Sequence, residues 1–158
     1  TEVLFNTFSD LGSEEIKDII NISESYSNSD RLYWDIFKIP HHCSHKSLAN
    51  VTAEEFSEPD ETVSRLFEGY SNDVPLIISS SRVISDGDYD PPNKKASDYY
   101  KKVVSDKDGE FKVTMDHPTV SSPKPLVIKI TGGGYEIEKK PLTGVGPIIT
   151  ERSERAGV

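Results

Sequence analysis

Asp35-Ile36-Phe37-Lys38-Ile39-Pro40-His41-His42-Cys43-Ser44-His45-Lys46-Ser47 carries an apolar, β-prone run straight into three of the chain's four histidines. A strand that empties into a His-rich loop suits a metal site. The strand fixes the backbone, and the loop aims imidazole nitrogens at an ion.

Upstream, Glu2-Val3-Leu4-Phe5-Asn6-Thr7-Phe8 reads as a strand, mostly apolar and so expected to be buried on both faces. It breaks at Ser9-Asp10-Leu11-Gly12, and Ser13 can cap a helix over 14–20 with acids in its first turn. Asp10 thus closes a strand and precedes a helix, where a carboxylate can be presented as a ligand. Residues 21–30, rich in Ser and Asn, read as an exposed loop, and 32–39 as the second strand.

Downstream, Thr52-Ala53-Glu54-Glu55 fits a capping box, and 61–68 a helix that can stop at Gly69. Residues 74–79 read as a third buried strand, 86–93 as a loop of Asp, Gly and Pro, and 95–104 as a helix. Asp108-Gly109 turns the chain into a strand over 111–115. Residues 126–130 and 135–138 read as a hairpin through Gly132-Gly133-Gly134, which lacks the helix and lysine of a phosphate loop. The order β-α-β-α-β-α-β-β-β predicts an α/β fold, a mixed sheet with helices on one face. One domain is expected over 1–142, and a poorly packed tail over 143–158.

The 158 residues suffice for one domain with a core, and at 34% hydrophobic residues that core is modest. No apolar run approaches the ~18 residues of a membrane span, and no signal-peptide pattern is visible. The single cysteine, Cys43, excludes an internal disulfide and points to a reducing compartment, so the expected location is cytoplasmic. The net charge of −9 opposes non-specific phosphate binding, and Lys94-Lys95 and Lys101-Lys102 read as a solvated helix face.

The run from Asp35 through His41-His42-Cys43-Ser44 to Ser47 resembles the D-I/V-L-K-V-P/G-H-H-G-S-x-x-S signature of metallo-β-lactamase-fold hydrolases, in the branch that includes the DNA-uptake competence proteins. Cys43 stands where that pattern has glycine. The strand-end pattern L-L-x-T-G-D-L is similar to the stretch from Leu4 to Leu11, with Ser9 for glycine and one extra residue. A third, looser similarity sets Leu76-Ile77-Ile78-Ser79 and Tyr89-Asp90-Pro91-Pro92 against I-I-S and Y-G-H-P, with Pro91 in place of the histidine.

The resemblance implies one half of an αββα sandwich and a centre of two divalent metal ions, zinc or manganese. A carboxylate, here Asp10, would bridge them. His42 would bind the second ion, with His41 as the alternate, and Ser44 would orient the ligand loop. Tyr89 and Asp90 would belong to a substrate loop. The main metal motif of the family, His-x-His-x-Asp-His, has no counterpart here. The resemblance therefore covers the C-terminal half of the fold only, and the missing N-terminal half is the implied partner. The implied substrate class is nucleic acid or another phosphodiester, and one aspartate and one histidine alone cannot catalyse.

Each residue also has a plainer reading. Asp10 can be a helix N-terminal acid, His41 and His42 a solvated loop, His45 a surface side chain and Cys43 a small packed one. Two functions follow: part of a metal-dependent hydrolase, or a degenerate, non-catalytic hydrolase-like module kept for protein interaction or regulation. A free-standing small-molecule-binding domain has no residue pattern for or against it.

Overall fold

The computed structural model of the chain describes residues 2–138. Four parallel strands lie side by side in chain order: β1 (Phe5–Thr7), β2 (Trp34–Lys38), β3 (Ser71–Ser79) and β4 (Glu110–Val113). The crossovers are α1 (Ser13–Ser25), α2 (Glu61–Ser64, continuing as a wider helical turn over Arg65–Gly69) and α3 (Lys94–Ser105). A separate antiparallel hairpin pairs β5 (Ile128–Thr131) with β6 (Gly134–Ile137). The α/β class is as expected. The single mixed sheet is not: the antiparallel strands form their own sheet instead of extending the parallel one. The expected tail and residues 139–142 lie outside the described residues.

Period-two alternation sorts the sheet into two faces. Phe37 and Ile77 are register partners and point to the helices, packing with Ile16 and Ile20 of α1, Val63 of α2, and Tyr100 and Val103 of α3. Ile36, Leu76 and Ile78 point the other way and are covered by Ile128, Tyr135 and Ile137 of the hairpin. The hairpin does not reach β1. Phe5, the partner of Ile36, is 54% exposed, which corrects the expectation of a first strand buried on both faces. Among the described residues β1 is an edge strand, and none of them covers its hairpin-side face.

Helix α1 runs on to Ser25, past the expected end at Ile20. Its last turn is held from outside, because Glu24 accepts hydrogen bonds from Tyr70 Oη at 2.9 Å and Arg65 at 3.1 Å. The capping box forms on a turn without a helix: the Thr52 N–H donates to the Glu55 carboxylate at 3.1 Å, and the Glu55 N–H to Thr52 Oγ1 at 3.4 Å. No helix among the described residues is long and apolar enough to cross a membrane.

Between its pairings with Trp34 and Ile36, β3 carries extra residues around Val74, whose φ is +54°. That bulge pushes Pro75 against the turn before β4. A Cβ on Gly109 would sit 2.1 Å from the Pro75 carbonyl oxygen, which only backbone movement could relieve. Gly109→Ala is expected to cost about 1–3 kcal/mol, the usual range for overpacking. Gly69→Ala, where nothing lies within 4 Å, should be neutral or stabilising, and paired thermal melts of the two variants check this.

Candidate metal-ligand loops

Parallel strands deliver their carboxyl ends to one edge of the sheet, where open α/β sheets place ligand sites. The Thr7–Lys38 pair is the last register pair of β1 and β2, so the Ser9-Asp10 and His41-His42 loops leave the sheet side by side. A hydrogen bond from the His41 N–H to the Ser9 carbonyl, at 3.3 Å, ties them together. Asp10 is exposed, and its carboxylate makes no hydrogen bond or ion pair among the described residues.

The His loop has unusual backbone geometry. His41, His42 and Cys43 have φ of +50°, +52° and +68°, one left-handed turn without a glycine. Such a conformation costs roughly 1–2 kcal/mol per residue and persists only where neighbours over-determine it. Here they do. The Cys43 N–H donates to the Pro40 carbonyl at 3.3 Å, and the Cys43 carbonyl accepts from the Asn93 N–H at 2.8 Å, at the start of α3. Ser44 Oγ accepts from the Lys46 N–H at 3.2 Å and so caps the short turn over His45–Ser47. Ser9, on the neighbouring loop, is left-handed as well, at φ +48°.

The two adjacent histidines are held differently. His42 is exposed, and its Nδ1 lies 2.5 Å from the Ser80 carbonyl oxygen, just past the end of β3. A carbonyl only accepts, so Nδ1 carries the proton and the neutral ring keeps its lone pair on Nε2. An imidazole anchored through one nitrogen with the other free is the usual arrangement of a metal-ligating histidine. His41 is half-buried, and its Nδ1 is buried with no hydrogen-bond partner. As individual donors, Asp10 and His42 fit a metal ion. As a set they fall short: among the described residues, no group of three or more His, Cys, Asp or Glu side chains could hold one.

Cys43 is fully buried, and that burial pushes its thiol up to about 12. It packs as a small side chain and is not a nucleophile at neutral pH. Tyr89 is 54% exposed, and its carbonyl accepts from Asn93 Nδ2 at 3.0 Å. Tyr89 and Asp90 line a cavity of about 690 Å³ with the segment from His45 to Glu55, and Asp10, His41 and His42 are not among its walls. Nearby, Asp88 is occupied by Arg82, at 2.8 and 3.0 Å, and by the Ser85 N–H, at 2.7 Å.

His45 departs most from expectation. It is 4% exposed, not on the surface. Its Nε2 hydrogen-bonds the Val51 carbonyl at 3.1 Å, and its ring lies 5.7 Å from that of Phe56. Leu48 and Ala49 are buried beside it, so the spacing of His45, Leu48 and Ala49 was a readable sign that the histidine turns inward. The Ser80 carbonyl, which anchors His42, has no sequence signature because any residue supplies one. Compared with protein-family models, curated proteins and solved structures, the chain matches none.

Proposed function

We propose that this chain supplies part of a metal-dependent hydrolase centre, with Asp10 and His42 as ligands and a phosphodiester or related ester as substrate. The observation that carries the reading is the juxtaposition at the sheet edge. A free carboxylate and an anchored imidazole leave neighbouring parallel strands on loops joined by one hydrogen bond. A second observation supports it. Ser9 and Cys43, the two residues that replace glycine in the resembled patterns, both have the left-handed backbone that glycine takes most readily. The residues differ from the pattern while the conformation agrees with it.

Asp10 and His42 are two donors, whereas a dinuclear centre takes about four to six. The remaining ligands would come from another segment or chain, meeting the sheet beside β1, where the hairpin leaves Phe5 exposed. When bound, the metal would lower the pKa of a coordinated water. Asp10 would hold charge against the ions, and the Ser80 carbonyl would keep His42 in the ligating tautomer. With a net charge of −9, a polynucleotide substrate would rely on the metal ions to offset repulsion.

The rival is a non-catalytic module, favoured by Pro91 in place of the pattern's histidine. Titration of the chain with Zn²⁺ or Mn²⁺, followed by NMR of the histidine rings, separates the two. The hydrolase reading expects a saturable response at His42, lost in His42→Ala and weakened in Asp10→Asn, with His117 unmoved. Silence at His42 would leave the module reading.

A further inference from the structure

We propose that two copies of this chain join edge to edge through β1, with α1 packed against α1 on the helix side of a continuous sheet. This does not depend on the hydrolytic reading. A two-fold axis through the strand sends the two Asp10 loops to opposite ends of the joined sheet, so neither copy completes the other's ligand set.

Three features of this side of the molecule carry the inference. The first is the strand edge. The Ile36 N–H donates to the Leu4 carbonyl at 3.1 Å, so in the parallel register Leu4 and Asn6 serve β2. The N–H and C=O groups of Phe5 and Thr7 therefore point away from the sheet, and no described strand pairs with them. Edge strands are usually blunted by charge, proline or a bulge. Phe5-Asn6-Thr7 has neither charge nor proline and keeps unbroken register with β2. The opposite edge, β4, carries the Glu110–Lys112 ion pair.

The second feature is a flank of α1. Lys17 reaches Asp60 at 3.3 Å, and Glu24 holds Arg65 and Tyr70, so one flank of α1 faces α2 and its helical turn. At about 100° per residue, Ile19, Ile22 and Tyr26 fall on the opposite flank. Because α1 links β1 to β2 and α2 links β2 to β3, that flank looks out past β1. Ile22 and Tyr26 are 58% and 75% exposed on it. The third feature is Phe5, left exposed on the other face of the sheet. Apolar side chains thus border the open edge on both faces.

A second copy fits this surface because the surface matches itself. With the axis at Asn6, antiparallel pairing sets Phe5 opposite the other copy's Thr7 and makes about four hydrogen bonds from the free groups. Each Phe5 ring covers the facing threonine, and the two α1 stripes meet antiparallel. Phe5, Ile22 and Tyr26 leave roughly 350 Å² of apolar side chain open per copy. Two copies with their strand edges then bury about 1,000 Å², the lower bound of a specific interface, so the dimer is weak. Each copy has a net charge of −9, and exposed Glu15 and Asp18 lie beside the stripe, so salt should strengthen the contact.

Sedimentation equilibrium of the chain should give a monomer–dimer Kd on the order of 10–100 μM, tighter at ~0.5 M salt than at ~0.1 M. Amide exchange at Phe5 and Thr7 should slow as the concentration rises. Thr7→Pro removes an N–H that β2 does not use, and should weaken association at least about tenfold while leaving the thermal melt little changed. Ile22→Lys probes the helix contact independently and should do the same. Val120→Lys, at another exposed apolar position, should leave association unaltered. A chain still monomeric at about 500 μM in high salt overturns the proposal, and leaves the edge to a strand from a different polypeptide. So does a dimer indifferent to both Thr7→Pro and Ile22→Lys, or one that high salt dissociates.

Discussion

Phe67→Ala is expected to remove about 3–5 kcal/mol of stability, a large share of the 5–15 kcal/mol that holds a typical domain folded. Phe67 is the hub of the helix-side core. Its ring lies 5.0 Å from Phe37 and 5.0 Å from Tyr100, with Trp34 at 6.3 Å and Tyr99 at 6.4 Å, all edge-on. Truncation would open a cavity bordered by β2, α3 and its own helical turn at once, and stiff aromatic neighbours refill such a space poorly. Edge-to-face contacts add to the loss. The same turn supplies the Leu66 carbonyl that accepts from Trp34 Nε1 at 2.9 Å, so its displacement would strand a buried polar pair. Urea unfolding should show the midpoint collapsing with little change in slope. A loss below about 1 kcal/mol would mean that the core is not centred there.

The ladder of alternating strands and helices was legible because the strands are apolar runs and the helices carry apolar residues at three- and four-residue spacing. What failed to read off depends on neighbours. The burial of Phe5 could not be inferred from its own strand, since exposure comes from the hairpin stopping short of β1. The last turn of α1 is rich in Ser and Asn, weak helix formers, and is held by Tyr70 and Arg65 from some forty residues away. His41, His42 and Cys43 contain no glycine to announce a left-handed turn, and only the glycine in the resembled pattern hinted at it. At the sheet edge, strand order accounts for the Ser9-Asp10 and His41-His42 loops leaving side by side. The anchoring of His42 and the burial of His45 required coordinates.

Raising the pH is expected to unfold the chain well before arginine or the backbone is affected, because several weak acids are buried in their neutral forms. Tyr100 is fully buried with its hydroxyl unpartnered, and burial pushes it well above the ordinary 10.0. Tyr99 is raised by burial and by Glu68 beside it, whose carboxylate accepts from its hydroxyl at 3.1 Å. Cys43 is raised from 9.0 to about 12, again by burial. In each case the unfolded chain loses its proton first, so the unfolded state binds fewer protons and stability falls as pH rises. The contribution is intact below pH 9, begins to go for Cys43 above that, and goes for the tyrosines above 10. One unit of offset is about 1.4 kcal/mol per group. By about pH 11 the offsets at Cys43 and Tyr100 alone come to roughly 4 kcal/mol, enough to unfold a marginal domain. Cys43 is the only thiol, so its alkylation reports the transition: slow while the core is closed, and rising steeply as the chain opens. Tyr100→Phe removes the ionisable hydroxyl and keeps the ring, and should move the alkaline midpoint upward. A midpoint unmoved by that change would place the titrating group elsewhere.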